Sequence, residues 1–398
     1  WRQDDPEVEG GGGHRLALRL KRVLLLRARH LDELRMSRYE GRLVDFAGED
    51  QRAGKGDCLF IVLLKVEVVA VRVLGLGLPV AIVRGDIRQG FPSSTVPCLL
   101  KAQIDAGVPP KGIVQLAAEA RDRTGRVRSE AGASAYYNVE DGAEQGRRKS
   151  PPGYCAMAKQ IADGARAIGP GVGLDIPPML ARAARLAGIQ SGLATPPQEL
   201  KAAEIAATLQ KWKAEEGPGG LLAATEALRA APDAATRLRA LDLVASERVA
   251  VVQLMDDIHG FTSSNGAAVE QLRSMGEAGA RIGQIFRPGR GKTEGIACGL
   301  KPTALLKVQD KNVQWGTVMV SAGVLVDRGI TFDALLAAMR EKSLEAVAVI
   351  AMAAQIAGIS WDAYARVVPQ RVETKVGQGI EFTVLNPQAE TKLNALQK

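Results

Sequence analysis

Two short, mostly apolar runs that end in acidic residues mark the candidate interior strands of this chain. Residues 79–86 read Pro-Val-Ala-Ile-Val-Arg-Gly-Asp, and residues 249–257 read Val-Ala-Val-Val-Gln-Leu-Met-Asp-Asp. Apolar runs of this length, bounded by glycine or acidic residues, are typical of buried strands. Because residues 258–261 continue with Ile-His-Gly-Phe, the pattern predicts a tight turn at the aspartate pair, between two strands.

Helical patterns follow the first of these strands. Ser93 and Ser94 are suited to cap a helix from Val96 to Ala106, because a serine oxygen accepts a hydrogen bond from a free amide at a helix start. Pro109-Pro110 separates this helix from a second one, Gly112 to Arg121. The two segments predict a helical hairpin after the strand.

Alanine-rich sequence dominates residues 169–247. Its content of Ala, Leu, Glu, Lys and Arg is typical of several helices, and partly disordered sequence is the alternative. Further helices are predicted from about Pro151 and over Gly266 to Gly279. The apolar stretch from Val318 to Val326 predicts a further strand, followed by a helix from Phe332 to about Ile359 and a last strand from about Ile380 to Leu385.

The composition favours a polyanionic partner. The chain has 398 residues, a net charge of +8 and a pI near 9.3, and clustered Lys and Arg gain binding free energy by releasing counterions from phosphates. Residues 1–48 predict a basic, helical N-terminal extension. The four cysteines and three histidines are scattered, which argues against a zinc site or a disulfide framework. We expect neither a membrane segment nor a secretion signal.

The acidic residues at the strand ends are the candidate catalytic residues. Asp256 and Asp257 would be fixed on the turn, and Asp86 would end another interior strand. Three carboxylates brought together in this way can hold a pair of divalent cations for phosphoryl transfer. Taken alone, an Asp-Asp turn is more often simply solvated, and Asp86 is more often a turn or capping residue.

Four motifs in a fixed order change this balance. They are Asp-x-x-x-Gly-Phe (86–91), Gln-Gly-x-x-x-Ser-Pro (145–151), Leu-Met-Asp-Asp (254–257) and Gly-Lys-Thr (291–293). In this order they resemble the palm of reverse transcriptases, most of all those of non-LTR retrotransposons and group II introns. The resemblance implies an RNA-directed DNA polymerase with an RNA template, a DNA primer and dNTP as partners, and a nuclear or cytoplasmic location.

The same resemblance implies an α+β fold of the right-hand polymerase type. Fingers and a ferredoxin-like palm would span residues 49–320, with the alanine-rich helices as an insert at about 170–247. A primer-grip strand, a helical thumb and the start of a post-thumb region would span residues 321–398.

The resemblance also assigns the catalytic roles. Asp86, Asp256 and Asp257 would bind two Mg²⁺ ions, with Mn²⁺ as the alternative metal. Lys292 matches a lysine that donates a proton to the leaving pyrophosphate, although a lysine in a glycine-rich turn is usually only solvated.

The remaining matched positions belong to the nucleotide pocket. Ile87 and Arg88 would place the triphosphate through backbone amides, and Phe91 would pack against the sugar and disfavour a 2′-hydroxyl. Gln145 and Gly146 would line the pocket, since an amide can bond the substrate and glycine lets the backbone approach closely. Without the resemblance, these residues would be read as an apolar core position and ordinary polar loops.

Two departures from the family pattern keep other hypotheses open. Pro92 stands where the family usually has a second aspartate, and the fingers element is contracted to residues 51–57, in which Arg52 and Lys55 are the candidates for triphosphate contacts. These departures favour, as an alternative, a catalytically decayed relative that still binds nucleic acid. A third hypothesis is an unrelated basic helical protein with an accidental motif order, which predicts that the first acid lies far from the aspartate pair.

Overall fold

The computed structural model describes residues 51–52 and most of residues 68–328, with scattered residues up to 352. Within 68–328 the undescribed residues are 121–122, 126–127, 130–131, 140, 144–149, 190–194, 214–217, 290, 303 and 322–323. The basic extension predicted over residues 1–48 and nearly all of the thumb predicted over residues 321–398 therefore lie outside the described residues.

The chain is an α+β protein, as predicted. The described helices are α1 (Val96–Asp105), α2 (Pro110–Ala120), α3 (Ser150–Arg166), α4 (Pro178–Ala187), α5 (Glu199–Trp212), α6 (Pro218–Arg229), α7 (Ala234–Val244) and α8 (Asn265–Arg281), and a π-helix covers Ala70–Gly75. The described strands are β1 (Gln51–Arg52), β2 (Val80–Asp86), β3 (Thr124–Gly125), β4 (Arg128–Ser129), β5 (Gly132–Ala133), β6 (Tyr137–Asn138), β7 (Val172–Gly173), β8 (Arg248–Val249), β9 (Val251–Leu254), β10 (Asp257–Thr262), β11 (Glu294–Cys298), β12 (Leu306–Val308), β13 (Lys311–Val313), β14 (Trp315–Gly316), β15 (Val318–Ser321) and β16 (Val324–Asp327). None of these described helices combines the length and the apolar character needed to pass through a membrane.

A mixed sheet of six strands organises the described chain, in the order β1-β9-β10-β2-β11-β14. The four inner strands pair antiparallel with one another, whereas the edge strands β1 and β14 pair parallel with their neighbours. The first apolar run of the sequence becomes β2, and all of its residues from Val80 to Asp86 are buried. The second run and the residues after the aspartate pair become the hairpin β9–β10.

The helices α3 and α8 pack on each other and on one face of this sheet. Two glycines permit the close approach on that face. A Cβ atom at Gly260 would lie 2.2 Å from Oε1 of Gln271 on α8, and one at Gly85 would lie 2.5 Å from the ring of Phe286. Because side chains alternate along a strand, Asp86, which follows Gly85, projects from the opposite face.

The alanine-rich segment forms the helices α4 to α7, so its helical interpretation is confirmed. Each helix places at least one leucine in the shared apolar core: Leu180, Leu209 and Leu228 on α4 to α6, and both Leu238 and Leu241 on α7. A buried ion pair ties these helices to the π-helix, since Nη1 of Arg72 lies 2.8 Å from Oδ1 of Asp242 and both side chains are fully buried. The insert is therefore part of the main core.

The serines predicted as caps do not cap α1. The N-cap position is Thr95, and the free amide of Val96 donates to Oδ1 of Asp141 at 3.2 Å. The hydroxyl of Ser94 instead donates to the carbonyl oxygen of Gly90 at 2.7 Å. The prediction was wrong because the partner of this amide lies 45 residues further along the chain, where a local pattern cannot reveal it.

The single strand predicted around residues 318–326 is also wrong. The chain forms the hairpin β15–β16 there, with Val318 opposite Asp327 and Val320 opposite Leu325. Both arms of the hairpin are apolar, so the sequence shows one continuous apolar stretch where the chain in fact reverses.

Candidate active site

Asp86 and Asp257 lie side by side at the ends of neighbouring strands. Asp86 is the last residue of β2 and Asp257 is the first of β10, and the antiparallel register pairs them directly. Directly opposed residues project from the same face of a sheet, with Cβ atoms about 4.5–5.5 Å apart. Asp256 immediately precedes Asp257 in the turn, so the three acids form one cluster. The distant first acid that an accidental motif order predicts is not found.

A strained two-residue turn presents the aspartate pair. Leu254 and Asp257 are paired across the turn, and Met255 has a φ of 52°. This left-handed backbone is costly for a residue other than glycine, and at the first central position of a hairpin it is characteristic of a type II′ turn. The side-chain amide of Gln253 donates to the carbonyl oxygen of Met255 at 2.8 Å and stabilises the turn.

Basic side chains neutralise two of the three acids. Nε of Arg287 donates to Oδ2 of Asp86 at 2.7 Å, and Nζ of Lys292 lies 3.6 Å from Oδ1 of Asp86. On the neighbouring strand, Nη2 of Arg84 lies 2.7 Å from Oδ1 of Asp257. The cluster therefore combines three carboxylates with three cationic side chains.

The pKa of the Asp256 carboxyl is raised above its ordinary value. Burial is the largest cause, and the charges of Asp257 and Asp86 raise it further, while a hydrogen bond from its own backbone amide and the charge of Arg287 oppose the rise. The carboxylates are thus close enough to repel one another, which is the condition under which a divalent cation binds favourably.

The three carboxylates of the cluster are chemically suitable ligands for a hard divalent cation, but two of them contact basic side chains. Among the described residues, no three His, Cys, Asp or Glu side chains surround a common point. The carboxylate of Asp86 contacts Arg287 and that of Asp257 contacts Arg84. Carboxylate oxygens are the ligands that Mg²⁺ prefers, so Asp86, Asp256 and Asp257 carry donor atoms of the type that such an ion needs.

Phe91 lies beside the acid cluster. Its ring stacks on the buried ring of Tyr154, with centroids 4.6 Å apart and planes inclined by 19°. Gly90 separates these rings from the acids, since a Cβ atom there would lie 2.4 Å from the Tyr154 hydroxyl and 3.1 Å from Cβ of Asp256. The residue predicted to contact the sugar is therefore close to the predicted metal ligands.

The predicted nucleotide-pocket loop begins next to Phe91. Gln145 and Gly146 themselves lie outside the described residues. Just before them, the amide of Ala143 donates to the carbonyl oxygen of Phe91 at 2.7 Å, and the amide of Gly142 donates to that of Ser94 at 2.8 Å. The chain thus enters this loop at the side of the cluster where Phe91 lies.

The two residues after Asp86 are held by the segment that follows α8. Ile87 is fully buried and forms a β-bridge with Phe286. The amide of Arg88 donates to the carbonyl oxygen of Ile285 at 2.7 Å. The Arg88 amide is therefore already engaged, and its exposed side chain is the part that remains accessible to a ligand.

The loop between α8 and β11 folds over Asp86. The amide of Arg287 donates to the carbonyl oxygen of Asp86 at 2.9 Å, and the amide of Thr293 donates to the carbonyl oxygen of Arg287 at 2.9 Å. The hydroxyl of Thr293 accepts from the Asp86 amide at 3.1 Å. These bonds bring Lys292, the predicted proton donor, to the acid cluster.

The contracted fingers element contributes an edge strand. Gln51 and Arg52 form β1, which runs parallel to β9 with Arg52 paired to Leu254. The backbone of Arg52 thus lies beside the strand that leads into the aspartate pair. Lys55, the other candidate of this element, lies outside the described residues.

Sequence reasoning missed three residues of the site: Arg84, Arg287 and Tyr154. Arg84 could have been found, because a residue two positions before Asp86 on the same strand projects from the same face. Arg287 lies in an obviously basic loop, but its contact depends on how that loop folds. Tyr154 lies on α3, and its contact with Phe91 depends on the packing of this helix against the sheet, which local sequence does not encode.

In comparison with known proteins, the sequence matches no protein-family model and no curated protein. The class of the protein is therefore defined by its fold and its site alone. It is an α+β protein whose mixed sheet carries a three-aspartate cluster at the ends of two adjacent strands.

Proposed function

We propose that this chain is an RNA-directed DNA polymerase of the retroelement type, which transfers nucleotides to a primer 3′-hydroxyl. One observation carries the proposal: Asp86, from the first motif, is the direct cross-strand neighbour of Asp257, from the third. The two residues are 171 positions apart in sequence (257 − 86), so their pairing is a property of the fold. Paired acids at strand ends are the arrangement that two-metal chemistry needs.

The order of the elements supports a polymerase palm. The four inner strands run in space as β9-β10-β2-β11. Together with the two helices that pack on the sheet, they follow one another in the chain as β2, α3, β9, β10, α8 and β11, with the other elements inserted between β2 and β9. This is the β-α-β-β-α-β order of ferredoxin-like domains. In such a palm, the central strand and the hairpin would hold the acids, as β2 and β9–β10 do.

In this proposal Asp86, Asp256 and Asp257 hold two Mg²⁺ ions, or Mn²⁺ in their place. The ions would supply Lewis-acid stabilisation of the phosphoryl group and a more acidic primer hydroxyl. Phe91 faces the sugar, and Lys292 donates a proton to the leaving pyrophosphate.

The other matched residues would hold the nucleotide. Gln145 and Gly146 would line its pocket, and Ile87 and Arg88 would lie at the triphosphate end, where Arg88 would contribute its side chain because its amide is already bonded to Ile285. The RNA template and DNA primer would bind to basic surface, since the net charge of the chain is +8.

A second candidate function is binding of nucleic acid without catalysis. It is favoured by the ion pairs that Asp86 and Asp257 form with Arg287 and Arg84, because an acid that serves only as an arginine partner needs no metal. Pro92, in place of the family's second aspartate, favours it as well.

Primer extension on an RNA template separates the two functions. We expect the wild-type chain to extend a DNA primer in Mg²⁺ or Mn²⁺, and Asp256→Asn to reduce extension at least a thousandfold while still binding the template–primer. Asp310→Asn is the matched control, because this aspartate lies in the exposed turn between β12 and β13 and should keep full activity.

Two outcomes would contradict the polymerase proposal. Wild-type protein that retards the template–primer in a gel but extends nothing with either metal would favour the binding function. Extension that survives in Asp256→Asn would show that the acid cluster is not the catalytic site.

A further inference from the structure

Two arginines contact the acid cluster in different ways. The side chain of Arg84 is almost fully buried, donates to Oδ1 of Asp257 through both Nε and Nη2, and donates through Nη1 to the carbonyl oxygen of Gly291 at 3.1 Å. The side chain of Arg287 is 43% exposed, and within the described part of the chain its one hydrogen bond is from Nε to Asp86. Arg84 is thus fixed, whereas Arg287 reaches the cluster from the solvent side.

The backbone of Arg287 is fixed although its side chain is exposed. Its amide and carbonyl bond to Asp86 and Thr293, and the next residue, Pro288, bridges to Thr293. The Cα atom is therefore held while the side chain can change partner. The terminal nitrogens Nη1 and Nη2 are the pair through which an arginine grips phosphate oxygens.

We propose that Arg287 is an exchangeable counterion, which holds the Asp86 carboxylate while the site is empty and moves to the triphosphate of the incoming nucleotide. This inference rests on the proposed function. A bound divalent cation would neutralise Asp86, and the triphosphate would offer Arg287 a more highly charged partner. Nζ of Lys292 lies 3.6 Å from the other oxygen of Asp86, so Lys292 would be available to the same triphosphate.

In the absence of nucleotide, Arg287 should lower the affinity of the acid cluster for a divalent cation. Arg287 and a divalent cation compete for the same Oδ2 atom of Asp86, so removing the guanidinium should favour the metal. Arg287→Gln keeps a polar side chain but removes the charge and most donors. We expect it to bind Mn²⁺ about three- to tenfold more tightly than wild type, as measured by electron paramagnetic resonance with Mn²⁺ as the only added ligand.

The nucleotide half of the exchange is tested by kinetics. With poly(rA), oligo(dT) and dTTP, Arg287→Gln should raise KM for dTTP about ten- to a hundredfold, because charge-assisted bonds to phosphate are lost. Arg287→Lys keeps the charge without the planar fork, so it should restore wild-type Mn²⁺ affinity but not the wild-type KM. Arg281→Gln, at the exposed end of α8, is the matched control and should change neither quantity.

Each result has a distinct meaning. Unchanged or weaker Mn²⁺ binding by Arg287→Gln overturns the counterion role, and an unchanged KM in an active protein overturns the transfer to the triphosphate. If the wild-type chain extends no primer, the proposed function fails and the nucleotide half of the inference fails with it, while the Mn²⁺ titration still decides the counterion role.

Discussion

Tyr154 supports the aromatic residue that is proposed to discriminate between sugars. Its ring is fully buried and stacks on Phe91, so it helps to set the position of the Phe91 ring beside the acid cluster. Stacked aromatic pairs contribute about 0.5–1.5 kcal/mol beyond the area they bury. If Phe91 acts as proposed, this energy is enough to affect how firmly its ring resists a 2′-hydroxyl.

Removal of this support should relax sugar selectivity. We expect Tyr154→Ala to lower the ratio of dNTP to rNTP incorporation, measured as kcat/KM for each nucleotide, by about two- to tenfold, the range that corresponds to the stacking energy. Tyr154→Phe keeps the ring and should keep the ratio. If both variants lose activity on both nucleotides equally, Tyr154 has only a structural role.

The residues of the site differ in how far the sequence could reveal them. The clustering of Asp86, Asp256 and Asp257 was predicted from the order of the motifs, and the strand pattern agrees with it, because Asp86 ends one strand and the other two acids follow another. The role of Arg287 could not be predicted, because its contact with Asp86 depends on the β-bridges and hydrogen bonds of the loop after α8. Local rules find residues on strands more readily than residues on loops.

Asp175 fastens two segments of the helical insert. It lies in the loop after β7 and accepts hydrogen bonds from the amides of Ser246 and Glu247, at 3.2 and 2.9 Å, near the end of α7. Burial acts to raise the pKa of the Asp175 carboxyl. Hydrogen bonds from the Ser246 hydroxyl, the Glu247 amide and its own backbone amide, together with the charge of Lys213, outweigh burial and lower the pKa below its ordinary value of 3.8.

This lowered pKa predicts a pH-dependent contribution to stability. The stabilisation is present above the unfolded-state pKa of about 3.8 and is lost as the pH falls through the lower folded-state pKa. We therefore expect Asp175→Asn to lower the free energy of unfolding at pH 7, and the difference from wild type to shrink toward pH 3. Urea denaturation at both pH values measures it, with Asp310→Asn as the control. A difference that is independent of pH would contradict the ionised role of Asp175.

The pair Arg72–Asp242 connects the π-helix to α7 in the core. Arg72 also donates to the carbonyl oxygens of Gly173 and Pro79, at 3.1 and 3.2 Å, and Asp242 accepts from the Gly173 amide at 3.0 Å. The pair therefore holds three segments that are distant in sequence. Its energetic value is tested by removing one partner and then both.

Removing one partner leaves a buried charge uncompensated. We expect Arg72→Met to lower the free energy of unfolding by about 3–5 kcal/mol, and the double variant Arg72→Met/Asp242→Leu to recover a large part of that loss. Urea denaturation of the single and double variants measures both values. A double variant that is no more stable than the single one would show that the hydrogen bonds to backbone, rather than the charge pairing, carry the effect.

Helices and long strands were predicted more successfully than their ends and partners. The alanine-rich composition of residues 169–247 predicted helices but could not show that they share a core with the sheet. The prediction of the α1 caps failed for the same reason, since Asp141, in a distant loop, accepts the hydrogen bond from the first amide of the helix. The edge pairings of β1 and β14 are likewise long-range, and short strands carry too little pattern to predict their partners.

Across the molecule, the acid cluster is locally balanced by three cations while the chain as a whole carries a charge of +8. The excess positive charge therefore belongs to the rest of the chain, where it can contact phosphates. Catalysis and nucleic-acid binding should then be separable, because they use different charges. The order of the motifs predicts catalysis at the acid cluster, and the composition predicts binding of nucleic acid by the rest of the chain.

This separation predicts that binding depends on salt but not on the acid cluster. We expect an RNA–DNA hybrid to bind in the absence of divalent ions, and its affinity to fall about a hundredfold between 50 and 200 mM salt, the loss that corresponds to roughly four phosphate contacts. Asp256→Asn should give the same slope of log affinity against log salt in a fluorescence-anisotropy titration, because an acid contributes no phosphate contact. An affinity that does not change with salt would contradict binding by the basic surface, and a slope that changes in Asp256→Asn would show that binding is not independent of the acid cluster.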